Sequence, residues 1–215
     1  MSQIHEKSPK HCAAKQSHFP AHKFNKKLFY SFSTLLLTIL ALILLVWLTL
    51  HPTKPQFSLK QTDIYQLNLS SFPHLLNSSI QVTLFSQNPN RKVGIYYDIL
   101  EVYASYKGQQ ISLDTSIPPF YQGHEESNVL SASLLGEGLP VAPSFGYQVG
   151  RDKSTSGNLV ISVKANGRLR WRVGSWVSGR YRFNVDCIAI LPFSGSSLPT
   201  GPLTTKQGTQ CSTAL

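Results

Sequence analysis

The stretch that most constrains this chain is Leu28 to Leu50, LFYSFSTLLLTILALILLVWLTL, which carries no charge, no proline and no glycine. At about 1.5 Å per residue it makes roughly 34 Å of helix, enough to cross a hydrocarbon core about 30 Å thick with some tilt. Its polar side chains are small hydroxyls such as Ser31 and Thr38, which can bond back to a helix carbonyl. Tyr30 and Trp47 lie near its two ends, where an amphipathic ring prefers the membrane interface. A buried core helix is seldom this long and apolar on every side. A cleaved leader would have a shorter apolar run and a small-x-small site, whereas Leu48, Thr49, Leu50, His51 and Pro52 follow here. The expectation is one retained transmembrane helix over 28–50.

Charge then orients it. Lys7, Lys10, Lys15, Lys23, Lys26 and Lys27 precede the span against the single acid Glu6, while His51, Lys54 and Lys60 follow it. The heavier lysine load places the N-terminal side in the cytosol and the C-terminal part outside. The expected organisation is a basic, disordered cytosolic tail over 1–27, the span, an extracellular domain with a stalk over 51–191, and a polar C-terminal segment over 192–215. The outer part is long enough for one domain with a real core. It carries 14 Lys and Arg against 9 Asp and Glu. A mildly basic surface outside a cell favours acidic polysaccharide or lipid headgroups over nucleic acid, for which no motif is visible. The basic tail can touch the anionic inner leaflet. It also holds His5, His11, Cys12, His18 and His22. Their loose spacing is poor for structural zinc, and Cys12 is a weak palmitoylation candidate.

After the span the period changes from helical to two. His51–Lys60 reads as an extended stalk because Pro52 and Pro55 exclude helix. Strands are expected at 64–69 and around Ile80, Val82 and Leu84, broken by Asn88-Pro89-Asn90. Val93–Tyr106 is too long for one regular strand, so an interruption is expected near Asp98, and Lys107-Gly108 turns the chain. Another strand covers Asn128–Leu135, and a short helix is expected at Phe145–Val149. Leu159, Ile161 and Val163 alternate with polar residues, and Asn166-Gly167 is a strong signal for a type I′ hairpin. The return strand would place Leu169, Trp171 and Val173 inward and Arg168, Arg170 and Arg172 outward. The last strand would place Tyr181, Phe183, Val185, Cys187 and Ala189 inward. Short strands with turn signals and no helical period make an all-β, antiparallel sandwich.

Catalytic arrangements are not found. On the outer side of the span the histidines are His51, His74 and His124, with no Gly-x-Ser-x-Gly elbow beside them. No His-x-x-x-His or Cys-x-x-Cys pair offers a metal site. Glu125 and Glu126 are adjacent, so on a strand they would point to opposite faces and could not flank a substrate. The chain is expected to be no enzyme and to hold no cofactor or metal. Binding features remain. Arg168, Arg170 and Arg172, with Arg180 and Arg182 on the next strand, could form an anion-binding face. Asn68-Leu69-Ser70 and Asn77-Ser78-Ser79 are glycosylation sequons on the outer side. Cys12 falls inside, but Cys187 and Cys211 share the oxidising exterior and are expected to pair.

Asn88-Pro89-Asn90, Ile95-x-Tyr97-Asp98 and Val102-x-x-x-Tyr106-x-Gly108 resemble the core of the plant late-embryogenesis-abundant type-2 domain. Pro119-Phe120-Tyr121-Gln122-Gly123-His124 is similar to a second block of that family. Gly167 to Trp176, Ser178-Gly179-Arg180-Tyr181 and Val185-Asp186-Cys187 are similar to a third. With the basic tail and single span, the whole resembles the harpin-induced, non-race-specific-disease-resistance-like membrane proteins of land plants. The resemblance implies a seven-stranded sandwich of immunoglobulin or fibronectin-III type, plasma-membrane residence and a part in defence or stress responses, with no catalytic residue to carry over. Some relatives end in a lipid-anchor signal, but the ending GTQCSTAL lacks the apolar tail such a signal needs. The expected function is non-enzymatic binding of protein partners or acidic wall polymers at the membrane–wall boundary. The rival is a lipid-binding or lipid-transfer module with an apolar slot between its sheets, and an anchored hydrolase is more remote.

Overall fold

A computed structural model of the chain describes residues 26–50, 52–70, 74–193, 202–205 and 208–215. The zinc and palmitoylation readings of His5, His11, Cys12, His18 and His22 fall outside the described residues. The chain divides into two units, Met1–Thr49 and Leu50–Leu215. In the first, Lys26–Leu50 is one helix, α1. Its hydroxyls turn back on the backbone: Thr34 Oγ1 donates to the Ser31 carbonyl at 2.9 Å and Thr38 Oγ1 to the Leu35 carbonyl at 2.8 Å. These two hydroxyls therefore add no unsatisfied polarity to the helix surface. Lys26–Trp47 within α1 is long and apolar enough to cross a membrane.

The second unit is built from period-two segments. In chain order its described strands are β1 (Gln56–Leu69), β2 (Leu75–Gln87), β3 (Gly94–Tyr106), β4 (Gln109–Gln110), β5 (Thr115–Ile117), β6 (Phe120–Gln122), β7 (Ser127–Pro140), β8 (Asn158–Val173), β9 (Trp176–Val177), β10 (Tyr181–Pro192), β11 (Leu203–Thr205), β12 (Thr209–Gln210) and β13 (Ser212–Ala214), with helix α2 (Phe145–Thr155) between β7 and β8. All pairings are antiparallel. One sheet runs β11-β1-β2-β7 with β12 also on β1; the other runs β13-β10-β8-β3-β4, with β5 and β6 also on β3 and β9 on β8. The expected sandwich is present, but the seven strands resolve into six long ones with edges made of short pieces. The physical cause is plain at one edge: Pro118 and Pro119, which lack an N–H, separate β5 from β6.

Inward residues of both sheets fill the space between them. Phe57 on β1 stacks on Phe183 of β10 at 6.0 Å, and Tyr97 on β3 stacks on Phe120 of β6 at 4.5 Å and meets Phe183 edge-on at 5.7 Å. Ile80, Val82, Leu84, Val102, Ile161, Val163 and Leu191 complete a core that is essentially inaccessible to solvent. At Lys107-Gly108 both residues have positive φ, 48° and 85°, as the expected turn requires. The ladder between β3 and β8 shifts register between Tyr97 and Ile99, so the expected interruption at Asp98 is a β-bulge. The helix expected at Phe145–Val149 continues to Thr155. Tyr106 and Lys107 bind its Asp152, at 2.7 and 2.8 Å.

Asn166-Gly167 is not a turn. Both residues lie inside β8, opposite Asn184 and Phe183 of β10. Glycine is needed here for space, since a Cβ on Gly167 would come within 2.7 Å of the Phe183 ring and overlap the Ile99 carbonyl. Tyr181, expected inward, is 50% exposed because it lies at the start of β10 beyond the filled core. The expected stalk is short and packed. Phe57 and Leu59 are buried, the Thr53 backbone is hydrogen-bonded on both sides by Asn90 at 2.7 Å, and Lys54 Nζ donates to the Thr213 carbonyl at 2.7 Å. At the other end, β11, β12 and β13 pair with β1 and β10, so the two sheets continue through the C-terminal segment.

A candidate anion-binding face

Alternation along β8 sends Leu169 and Trp171 into the core and Arg168, Arg170 and Arg172 to the opposite face. The three arginines do not share one environment. Arg170 faces Tyr96 across the ladder to β3. Beside it, the bulge presents Asp98, whose Oδ1 accepts from Arg170 Nε at 3.0 Å and Nη2 at 2.6 Å. Asp98 Oδ2 accepts from Arg180 Nε at 3.1 Å. The Arg170 hydrogen bonds hold the Asp98 carboxyl below its ordinary 3.8. Partial burial opposes them, and Arg180 adds to the lowering. One carboxylate thus anchors two guanidiniums.

Arg172 is held by rings instead. Its guanidinium lies 5.8 Å from the centre of Tyr96 and 5.4 Å from that of Tyr121. Its Nη1 donates to Tyr96 Oη at 2.8 Å, and its Nε to the Gly174 carbonyl at 3.0 Å. The two tyrosine rings are 4.6 Å apart. Gly94 makes that approach possible, because a Cβ there would lie 2.8 Å from Tyr121 ring carbons. Tyr96 also lies 5.6 Å from the Arg170 guanidinium, giving an alternating array of rings and cations.

Arg168 and Arg182 complete the face differently. They are exposed and sit directly opposite each other across the β8–β10 ladder. Neither has an acidic partner among the described residues. Like charges in direct register repel, and an anion placed between them would offset that repulsion. All five expected arginines therefore lie on or beside one sheet face. Tyr96, Tyr121 and Asp98 were missed as their partners; the period-two pattern puts Tyr96 opposite in sense to inward Ile95 and Tyr97, which is the one signal available.

Other expected residues fall elsewhere. Cys187 and Cys211 are disulfide-bonded, joining β10 to the residue between β12 and β13. Asn68 and Asn77 are exposed and are cross-strand partners on β1 and β2; Asn77 Oδ1 accepts from the Gly138 N–H at 2.7 Å. His74 is half-buried and His124 exposed. Glu125 pairs with Arg91 at 3.2 Å, and Glu126 accepts from the Gly123 N–H. Both carboxylates thus serve the loop that carries them. Among the described residues no group of three His, Cys, Asp or Glu is placed to hold a metal.

Comparison with known proteins identifies the chain. Residues 83–187 match the family model described as late embryogenesis abundant protein. The chain is 58% identical to NDR1/HIN1-like protein 26 of Arabidopsis thaliana over 216 aligned positions, covering 100% of both chains. It is 42% identical to NDR1/HIN1-like protein 1 of the same plant, over 81% of this chain and 84% of that one. NDR1/HIN1-like protein 12 is 45% identical over 73% of each. The chain belongs to the NDR1/HIN1-like family of defence- and stress-related plant proteins and carries its late-embryogenesis-abundant domain.

Proposed function

We propose that this protein is a non-enzymatic, single-pass protein of the plant plasma membrane, with its tail in the cytosol and its sandwich facing the wall, where it binds acidic wall polysaccharide through Arg168, Arg170, Arg172, Arg180 and Arg182. The observation that carries the binding reading is the Arg168–Arg182 pair: two exposed like charges in register, beside guanidiniums already fixed by Asp98, Tyr96 and Tyr121. A polyuronate offers carboxylates at regular spacing to meet such a row, and its sugar faces can pack on tyrosine rings. Apolar α1 and the lysine excess before it support the membrane reading and its orientation. The lipid-slot rival draws less support, since the rings of Phe57, Tyr97, Phe120 and Phe183 pack together between the sheets.

The test uses detergent-solubilised full-length protein on immobilised polygalacturonate. Retention is expected to weaken as salt rises and to fall in an Arg168→Gln/Arg182→Gln variant whose melting temperature is unchanged. Equal retention of variant and wild type would rule out this face and leave a protein partner as the reading to pursue. Orientation has its own readout: N-glycosidase should sharpen or shift the band, and the effect should vanish when Asn68 and Asn77 are both changed to Gln.

A further inference from the structure

A second surface is apolar. A cleft of about 370 Å³ is lined by Pro52, Val93, Trp171, Val173, Trp176 and Tyr181, together with Ser178. Trp176 is 62% exposed and Tyr181 50%, so two of the cleft's three rings lie open while Trp171 is packed into the core. The chain displays Trp176 deliberately in structural terms: Gly174 takes φ 58° to turn β8 into β9, which pairs Trp176 with Val173 at the hairpin end.

The covalent address of this cleft gives it a partner. Pro52 is two residues beyond Leu50, where α1 ends. Thr53 is fixed in the sandwich by both Asn90 hydrogen bonds, and Lys54 by its bond to the Thr213 carbonyl. Three residues, at most about 11 Å of chain, therefore join the end of α1 to a fixed point beside the cleft, whatever the angle between the two units. The cleft is also bordered in sequence by cations, with Lys54 after Pro52 and Arg91 and Lys92 before Val93. Among the described residues Arg91 pairs with Glu125, at 3.2 Å and with both side chains well exposed, an ion pair that a phosphate oxygen can replace at little cost.

We infer that this cleft is a second membrane attachment, in which Trp176 and Tyr181 enter the headgroup interface of the outer leaflet and Arg91 and Lys92 meet phospholipid phosphates. Amphipathic rings favour that zone, and basic side chains bordering an apolar surface can reach phosphates while their stems stay apolar. The inference rests on α1 being a membrane span.

The test uses the full chain in phosphatidylcholine vesicles, with Trp47→Phe and Trp171→Phe leaving Trp176 as the sole tryptophan. Phosphatidylcholine carrying a nitroxide at acyl carbon 5 should quench Trp176, and aqueous iodide should quench it severalfold less than a tryptophan placed at Val129 in a chain without the other three. Val129 is 65% exposed and lies on β7, in the sheet that does not carry Trp176 and Tyr181. A Trp176 that is open to iodide and untouched by the lipid nitroxide overturns the inference. An alkaline carbonate wash separates the two failures: protein that stays in the vesicles with Trp176 open to iodide loses only the cleft attachment, whereas protein released by carbonate loses the span and the inference with it.

Discussion

Two polar regions of the sandwich use similar side chains to opposite ends. Around Asn88 the polar groups are buried and satisfy one another. Asn88 Nδ2 donates to the Val93 and Gly123 carbonyls at 2.8 and 2.7 Å, and its Oδ1 accepts from the backbone and side chain of Asn90 at 3.0 and 2.8 Å. Gln122 donates to the Ser86 and Glu126 carbonyls and accepts from Tyr97 Oη at 3.2 Å. On the arginine face, Asp98 and two rings orient the guanidiniums, while Arg168 and Arg182 stay open to solvent. A buried network with its bonds filled holds loops together and has nothing to offer a ligand. A surface array with cations to spare contributes little to folding and leaves those cations open to an anion from solution.

The sharpest way to break that contrast is Asn88→Ala. It would orphan two buried carbonyls and release Asn90, and with it the clamp on Thr53, so a loss of about 3–4 kcal/mol is expected in a urea midpoint. A loss under 1 kcal/mol would mean that the network is not what holds the β2–β3 connection. Next comes the disulfide. Changing Cys187 and Cys211 together to Ala opens a loop of sequence separation 24 and should cost roughly 3 kcal/mol, mainly through the entropy of the unfolded chain. Hydrogen exchange should then rise first in β11–β13, which have short ladders of their own.

What could be read beforehand follows the range of the interactions. The sandwich, the Lys107-Gly108 turn and the interruption at Asp98 are local patterns, and each was legible in the sequence. So was the cysteine pair, because Cys187 and Cys211 lie on one side of the long apolar segment in the sequence and Cys12 on the other. Asn166-Gly167 misled because turn propensity was weighed without parity. A two-residue hairpin there would put Ala165 and Arg168 on one face and turn the arginines toward the core. The inward set Leu159, Ile161, Val163, Ala165, Leu169 and Trp171 keeps odd numbering throughout, which only one continuous strand allows. The partners of the arginines were not legible. Asp98 and Tyr96 lie 72 and 76 positions before Arg170 and Arg172 and meet them only through the β3–β8 register. The Asn90 clamp, 37 positions from Thr53, was hidden in the same way behind a motif that reads simply as a strand breaker.

A smaller change probes the buried network from within. Burial raises the Tyr97 hydroxyl well above its ordinary 10, so it stays protonated at any pH the fold survives and acts as a neutral hydrogen-bonding group. Tyr97→Phe keeps the ring contacts with Phe57, Phe120 and Phe183 but leaves Gln122 and Ser86 short of a partner. The expected loss is about 1 kcal/mol by urea titration. The same measurement on Arg168→Gln/Arg182→Gln should stay within about 0.5 kcal/mol. If the surface pair cost as much as the buried hydroxyl, the division between structural and recognition polarity would fail.

The smallest effect tests whether Asp98 belongs to both regions, and pH isolates it. The Arg170 hydrogen bonds, with Arg180 behind them, lower the Asp98 pKa in the folded chain below the ordinary 3.8. A group whose folded pKa is depressed adds stability that is fully present above the unfolded value and is lost as pH falls through the folded one. The contribution should therefore be constant at neutral pH and fade below about 3.8. Asp98→Asn removes it at every pH, so the wild type should melt slightly above the variant near pH 7, and the two curves should converge as the medium becomes more acid. High salt should narrow the neutral-pH gap, because Arg180 is 66% exposed and screened. Convergence with little overall loss would mark Asp98 as a part that aims Arg170 and Arg180 rather than one that holds the sandwich together. The variant should then lose more polygalacturonate retention than stability. A gap that persisted unchanged through acid pH would show that the side chain acts there by shape or by its place in the bulge, and not by its charge.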